Sequence, residues 1–350
     1  MNNSLSKKLQ QIYEGNFYAA DIAGILSIER QDQIRQIFDF ADNIRKQTLG
    51  DAILLRGIIE ISSYCRNSCR YCGLNKNNKS LTRYRMKTEE ILEAADMIYR
   101  SGIRTVVIQS GEDEDFTAVW IADIIKQIKE RFAGMAVTLS LGEWPDEYYR
   151  IWREAGADRY LLKIETTDRR LYERMHPDMS YDNRIRCLDT LKRLDYQTGS
   201  GCLVGLKGQT VESLASDVMF FREFGFDMLG IGLFIPHGQT ELSSSRQGSL
   251  EMTLKVQAMA RILLPAAHMP ATTATGSISK TDNRIDALQA GANVIMPNFT
   301  PMPYRQMYEI YPHKRCVNEN PTTDFSELAQ SVEKIGRHLA FTRGDALRLQ

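Results

Sequence analysis

The sequence predicts an α/β protein, a (β/α)₈ barrel of the TIM type with N-terminal helices and a short C-terminal extension. Eight short apolar runs alternate with amphipathic helical segments between residues 51 and 315, and about 250 residues is the usual size of such a barrel. The runs are rich in Val, Ile and Leu without strict alternation, as expected for parallel strands covered on both faces. No Pro- or Gly-rich linker interrupts the pattern, so we predict one domain. A doubly wound sheet remains the alternative, because it shows the same alternation.

The elements follow this plan in chain order. Residues 1–50 are predicted to be a helical extension that ends at Gly50, because glycine commonly ends a helix. Residues 316–350 are predicted to be an extension packed on the barrel, with a helix near 326–340. The main helices predicted between the strands run from Thr88, the predicted N-cap, to Gly102, over 210–224 and over 249–264. The eight predicted strands are 53–62, 105–110, 136–141, 159–165, 199–205, 228–235, 270–275 and 293–297.

The charge balance and the cysteine count indicate which partners and which cellular compartment to expect. The 350 residues carry 44 Lys plus Arg and 44 Asp plus Glu, and this balance predicts no long-range attraction to nucleic acid or to an anionic membrane. The N-terminus resembles no signal peptide, and no apolar run reaches the length of a membrane span. Six cysteines are too few for a disulfide scaffold, so we expect a cytoplasmic protein with reduced thiols.

Three of the cysteines lie within eight residues, in CRNSCRYC, directly after the first predicted strand. Cys65, Cys69 and Cys72 cannot pair evenly in disulfides. A closed zinc site normally takes four protein ligands, and this chain has no second CxxC or HxxxH. A [4Fe–4S] cluster is usually held by four thiolates, so three would leave one iron open to an exogenous ligand. The trio therefore favours one reactive cluster at the carboxyl edge of the barrel, where barrel active sites lie.

This spacing, with Tyr71 before the last cysteine, resembles the signature of radical S-adenosylmethionine (SAM) enzymes. The resemblance implies that the open iron chelates SAM and that one electron cleaves it to a 5′-deoxyadenosyl radical. Beside the resemblance, Lys163 and Glu165 stand two apart on one strand and so share a face. The acidic turn SGED (110–113), the glycine-rich GSGCLVGLKGQT (199–210) and Arg184 are further candidate contacts. The resemblance implies cofactor-binding roles for Tyr71, Ser110, Gly111, Glu112, Lys163, Glu165, Arg184 and Ile235, with Tyr71, Glu165 and Arg184 also expected to be catalytic.

The resemblance extends along the barrel to the HydE family of radical SAM maturases of [FeFe]-hydrogenase, through SLGEWP, AGADRYLL, PATTATG, ANVIMPN and TPMPYRQMY among other segments. Biotin synthase and methylornithine synthase resemble it less closely. It implies a small organometallic iron–cysteine substrate, partner proteins HydG and HydF, and an electron donor. Side chains expected to line the lumen and bind substrate are Gln109, Thr138, Thr272, Thr273, Tyr304 and Arg305.

Two other functions stay open at this stage. A radical SAM mutase or synthase acting on an amino-acid-like substrate shares the architecture, and a non-catalytic iron–sulfur carrier would need the cysteines alone. Some HydE proteins carry a second cluster near the C-terminus. Here only Cys316 remains in that region, so we predict a single cluster with three cysteine ligands. Cys187 and Cys202 are predicted to be core thiols.

Overall fold

The computed structural model describes residues 3–278, 282–314 and 325–349. The N-terminal extension consists of three helices, α1 (Asn3–Tyr13), α2 (Ala19–Leu26) and α3 (Gln31–Leu49). Gly50 follows α3 with φ +70°, a backbone conformation that glycine adopts without strain. In the described part of the chain, no helix is both long and apolar enough to cross a bilayer.

The strands form a parallel ring, as predicted. The strands are β1 (Ala52–Leu55), β2 (Gly57–Ser62), β3 (Thr105–Ser110), β4 (Ala136–Ser140), β5 (Arg159–Leu161), β6 (Gln197–Ser200), β7 (Leu203–Val204), β8 (Met228–Leu229), β9 (Gly232–Leu233), β10 (Val294–Ile295) and β11 (His338–Ala340). A six-stranded sheet has the order β2-β3-β4-β5-β6-β8, and β1 lies between β10 and β11 in a second sheet. The ring is that of a (β/α)₈-type barrel.

Isolated bridges close the ring beyond the regular ladders. Met228 bridges to His268, Pro270 to Val294 and Ile58 to Asn298, all in parallel. The seventh predicted strand, 270–275, is therefore wrong over most of its length. Only its first residue makes a bridge, and α11 (Thr273–Ser277) begins three residues later because the Thr272 hydroxyl accepts a hydrogen bond from the Thr275 amide and caps a helix.

Helices cover the outside of the ring. Hydroxyl side chains cap several of them, as Thr210 does for α9 (Val211–Phe224) and Ser249 for α10 (Leu250–Leu263), which agrees with the predicted starts of these two helices. Thr88, predicted as a cap, is instead the first residue of α4, after Lys87. The remaining helices are α4 (Thr88–Arg100), α5 (Ala118–Arg131), α6 (Asp146–Glu154), α7 (Arg169–Met175), α8 (Tyr181–Arg193), α9 (Val211–Phe224), α10 (Leu250–Leu263), α12 (Arg284–Gln289), α13 (Met302–Met307) and α14 (Ser326–Glu333).

Alternation along the strands separates an outer core from the lumen. On β2, Ile59 and Ile61 belong to the large hydrophobic core under the helices, whereas Ile58 and Glu60 do not. On β4, Val137 and Leu139 join that core. Since successive side chains of a strand point to opposite faces, Glu60 and Thr138 face the lumen, where they are buried.

The end of the chain closes the amino-terminal face of the barrel. Strand β11 pairs with β1, so the helix predicted near 326–340 is wrong beyond Glu333. The buried guanidinium of Arg159 donates to Asp345 Oδ1 at 2.6 Å and to the carbonyl of Arg343 at 2.7 Å. A last 3₁₀ turn follows at Leu347–Leu349. These contacts fix the C-terminal segment against the strand starts, and the exact domain boundaries stay predictions.

Candidate active site around the cysteine loop

The three cysteines lie on an irregular loop that leaves the carboxyl end of β2. The Arg83 guanidinium holds this loop in place by binding its backbone carbonyls. It donates to Leu74 O at 2.8 Å and to Asn75 O at 2.7 Å. It also donates to the carbonyls of Ser63 and Asn78. Sequence reasoning missed this role of Arg83, because nothing local marks an arginine that binds a distant loop.

Gly111 allows the next strand end to approach the loop. A Cβ placed on Gly111 would lie 2.2 Å from the Tyr64 carbonyl oxygen and 2.8 Å from the Cβ of Cys65. No side chain larger than hydrogen fits there without movement. The predicted SGED turn is therefore in contact with the cysteine loop, and Gly111 acts through its lack of a side chain.

The three thiols lie on this one loop and are not engaged in disulfides. Burial raises the pKa of all three, that of Cys72 to about 12, and the neighbouring thiolates raise those of Cys69 and Cys72 further. Such a trio is stabilised in its ionised form only by added positive charge. Among the described residues, no three His, Cys, Asp or Glu side chains converge tightly enough for a single metal ion, whereas a four-iron cluster joins thiolates that stand further apart.

Glu165 lies just beyond β5 in a strained backbone conformation, with φ +65°. Lys163 Nζ is 2.9 Å from its Oε2. The approach lacks hydrogen-bond geometry, and Oε2 is buried without a hydrogen-bond partner. Glu165 also raises the pKa of Tyr71 and Cys72, after the larger effect of burial, which places its carboxylate beside the cysteine loop. A strained residue with an unsatisfied carboxylate oxygen is typical of a ligand site.

Arg184 is buried on α8 and does not project freely into the site. Its Nε donates to Glu143 Oε1 at 2.5 Å, and its Nη1 donates to the carbonyl of Lys163. Arg184 would nevertheless stabilise the Cys69 thiolate, since its charge lowers the pKa of that thiol against the effect of burial. Glu143, in the SLGEWP segment, was not among the predicted site residues.

Glu112 is also already bound within the protein. Its Oε2 accepts from Arg66 Nε at 3.1 Å, and its Oε1 accepts from the Glu143 amide at 2.9 Å. Burial raises the pKa of the Glu112 carboxyl. Ser110 is half-buried, and its hydroxyl donates to the carbonyl of Gly111 at 2.6 Å. The structure thus brings 110–112 to the site, with the Glu112 side chain supporting the loop.

Tyr71 is oriented by a histidine that the sequence did not single out for this role. Its hydroxyl lies 2.8 Å from His176 Nε2, while His176 Nδ1 lies 2.8 Å from the Tyr172 carbonyl. The carbonyl can only accept, so Nδ1 carries the proton and Nε2 accepts from Tyr71. Burial lowers the pKa of His176 to about 3, which keeps the ring neutral.

The predicted substrate residues separate into two groups. Gln109 and Thr138 lie on the strands; Gln109 Nε2 donates to Tyr308 Oη at 3.2 Å, and the buried Thr138 hydroxyl has no hydrogen-bond partner. Tyr304 and Arg305 instead bind the protein itself, through Glu90 Oε1 and the Thr300 carbonyl respectively. Of the remaining candidates, all half-buried, Thr272 caps α11, Thr273 begins it and Ile235 follows β9.

A buried ion pair in the lumen was missed altogether. Lys314 Nζ contacts Glu60 Oε1, and both side chains are almost fully buried. Asn298 Nδ2 donates to the other oxygen of Glu60 at 3.0 Å. Lys314 comes from the loop after α13, so the pair ties that loop to β2. Cys316, two residues further, lies outside the described residues. Cys187 and Cys202 are buried free thiols, as predicted.

These residues fit the predicted group. Three free thiols lie on one loop, and the Glu165 carboxylate, paired with Lys163 but with an oxygen that lacks a hydrogen-bond partner, stands beside them. The cysteines would hold an iron–sulfur cluster, and Glu165 would hold a polar ligand next to it.

The chain is similar to known proteins over most of its length. The radical SAM superfamily profile matches residues 59–221. The [FeFe]-hydrogenase maturase subunit HydE of Thermotoga maritima is 48% identical over 94% of either chain. This chain belongs to the HydE family. It is therefore an enzyme of the radical SAM class, as the cysteine spacing predicted.

More distant relatives surround the HydE family. The 3-methylornithine synthase of Methanosarcina acetivorans is 27% identical, over 79% of this chain and 77% of its own. The crystal structure of methylornithine synthase (PylB) superposes with a TM-score of 0.80 at 24% identity, covering 95% of this chain and 97% of that one. Biotin synthases match as well. The structural likeness supports the barrel fold alone.

Proposed function

We propose that this chain is an [FeFe]-hydrogenase maturase that acts in assembly of the diiron subsite of the H-cluster. The observation that carries the proposal is the 48% identity to the HydE of Thermotoga maritima over 94% of both chains. The substrate would be a small organometallic iron–cysteine complex. HydG and HydF would be the partner proteins, and an electron donor would supply the reducing power.

The cofactors would be one [4Fe–4S] cluster on Cys65, Cys69 and Cys72 together with SAM. When bound, this pair supplies a 5′-deoxyadenosyl radical by one-electron cleavage of the SAM sulfonium. The protein's own contribution is to bind and orient SAM and to exclude water. Glu165 Oε2 is ion-paired with Lys163 but has no hydrogen-bond partner, so it would accept from a ribose hydroxyl or an amino group. Tyr71, fixed by His176, would flank the adenine.

The lumen would hold the substrate beneath this site. Thr138 has an unsatisfied hydroxyl, and Gln109 lies on the neighbouring strand. Lys314 supplies a positive charge near the mouth of the lumen that suits an anionic complex, with Glu60 as its counter-ion when the substrate is absent. Thr272, Thr273, Tyr304 and Arg305 remain candidate substrate contacts, and binding through Tyr304 or Arg305 would require exchange of the present hydrogen bonds.

The experiment is complementation. The gene should restore hydrogenase activity to a host that makes HydG and HydF but lacks its own HydE, and the Cys65→Ala variant should fail. A folded protein that cleaves SAM but does not complement would favour a mutase resembling methylornithine synthase. A protein that takes up iron but never cleaves SAM would favour an iron–sulfur carrier.

The iron content tests the single-cluster prediction separately. The anaerobically reconstituted protein should hold four irons, and replacing all three of Cys65, Cys69 and Cys72 by Ala should leave essentially none. Residual iron that disappears on adding Cys316→Ser would reveal a second site.

A further inference from the structure

An open cavity of about 390 Å³ lies on the outer surface beside the cysteine loop. Its lining comes from the loop itself, the end of α7 and the loops that follow β7 and β9. The lining residues are Arg70, Arg174, Met175, Lys207, Gly208, Glu241 and Leu242. Arg70 stands between Cys69 and Tyr71, so this surface begins one residue from two of the groups that define the site.

The cavity is strongly basic, although the whole chain is neutral. Three of its lining side chains are cations and only Glu241 is an anion. Glu241 Oε2 lies 3.3 Å from Arg70 Nε, without hydrogen-bond geometry. Arg174 and Lys207 are exposed, and neither forms an ion pair with a described residue. The Arg174 guanidinium donates to the Lys207 carbonyl at 3.1 Å, so both cations are held on one rim without a carboxylate partner, and together they form a local positive field.

Two residues that line the cavity are linked to the cysteine loop by packing and by a hydrogen bond. Met175 and Leu242 belong to a small hydrophobic cluster, separate from the main core, against which Tyr71 packs. The Arg70 amide donates to the Met175 carbonyl at 3.0 Å. A body seated in the cavity would therefore contact the cysteine loop at Arg70 and would lie against the side chains on which Tyr71 packs.

The chemistry at this loop needs an electron from outside. The proposed cleavage of SAM consumes one electron, and the chain shows no second redox group among its described residues. We propose that the basic cavity around Arg70, Arg174 and Lys207 is the docking surface for a small acidic electron-carrier protein. This inference rests on the proposed function and adds the kind of partner and its place of contact.

The proposed step transfers a single electron. The reduced carrier loses one electron and the oxidised cluster gains it, with no bond broken and no proton required. A carrier with an acidic rim around its redox group suits the cavity, because opposite charges steer the encounter and set its orientation. Electron-transfer complexes are also typically small and transient, and a contact of this kind fits a single cavity with a few exposed cations.

The test compares two electron sources on the reconstituted holoprotein. Cluster bleaching is followed by stopped-flow absorbance after mixing with a photoreduced flavodoxin or with dithionite. Arg174→Glu/Lys207→Glu should slow reduction by flavodoxin about tenfold at low salt and leave reduction by dithionite unchanged. The difference should shrink as salt rises, because exposed charges are screened.

The matched control is Lys126→Glu/Arg131→Glu on α5, which changes the net charge equally at exposed positions away from the cavity. It should leave both rates unchanged. Glu241→Gln, which removes the only anion, should act in the opposite direction and speed reduction by flavodoxin. The affinity of the oxidised proteins, measured by fluorescence titration, should change in parallel with these rates.

Equal slowing by both double variants would overturn the proposal, because net charge alone would then account for the effect. Unchanged flavodoxin rates in Arg174→Glu/Lys207→Glu would overturn it as well. Both outcomes are distinct from failure of the proposed function, which would appear in the unmodified protein as absence of SAM cleavage with dithionite.

Discussion

Removing the carboxylate of Glu143 should destabilise the protein strongly, although Glu143 belongs to no sequence motif of known chemistry. Its Oε1 accepts from Arg184 at 2.5 Å and its Oε2 accepts from Asn183. Both members of the ion pair are at least nine-tenths buried. Glu143→Ala would leave the Arg184 guanidinium buried without its counter-ion. Breaking a buried pair from one side costs about 3–5 kcal/mol.

The assay is urea unfolding of the apoprotein, so that cluster binding does not enter. Glu143→Ala should lower the free energy of unfolding by about 3–5 kcal/mol, as a shift of the midpoint at unchanged slope. The control is Glu147→Ala on α6, which breaks the exposed pair with Arg150. That change should cost less than about 1 kcal/mol.

A double-mutant cycle separates the pair from its surroundings. Glu143→Met combined with Arg184→Met should cost less than the sum of the single changes, because no unpaired charge is left buried. If Glu143→Ala proved as mild as Glu147→Ala, water would be reaching Arg184 and the argument for a dry ion pair behind the site would be refuted.

Three further results are expected. Burial raises the pKa of Asp217 to about 7, so the folded state keeps a proton that the unfolded state loses above about pH 4. The stability of the unmodified protein should therefore fall as pH rises to 7. In urea unfolding, the effect of Asp217→Asn on the free energy of unfolding should be more stabilising at pH 8 than at pH 5, by about 2–3 kcal/mol. Burial lowers the pKa of His268 to about 3, so as pH falls below about 6.5 the unfolded state takes up a proton that the folded state does not. His268→Gln should therefore remove about 2 kcal/mol of the stability that the protein loses between pH 7 and pH 5. An unchanged dependence of stability on pH would show that the ring titrates normally. Gly111→Ala should block packing of the cysteine loop and lower reconstituted iron by more than half, while Gly24→Ala, where an added Cβ meets nothing within 4 Å, keeps it; equal iron in both would mean that the loop adapts.

Much of the fold, and the three cysteines at the centre of the site, could be predicted from short stretches of the sequence. The strand runs, the capping residues Thr210 and Ser249, and the cysteine trio depend on neighbours within a few positions, so their patterns are legible in the chain itself. Lys163 and Glu165 do form an ion pair, but the predicted shared strand 159–165 is wrong beyond Leu161, because β5 ends there and Glu165 has φ +65°. Local competition also explains the error at 270–275, where a threonine cap favours a helix over a strand.

The hydrogen bonds and ion pairs that hold the site in place could not be predicted from local sequence, because each joins two residues far apart in the chain. Arg184 and Glu143 are 41 positions apart, Tyr71 and His176 are 105 apart, and Lys314 and Glu60 are 254 apart. The sequence by itself determined a parallel α/β fold with three thiols after its first strand. The tertiary structure alone decided which buried charge faces which, because that depends on how the ring of strands closes and on which side chains it removes from water together.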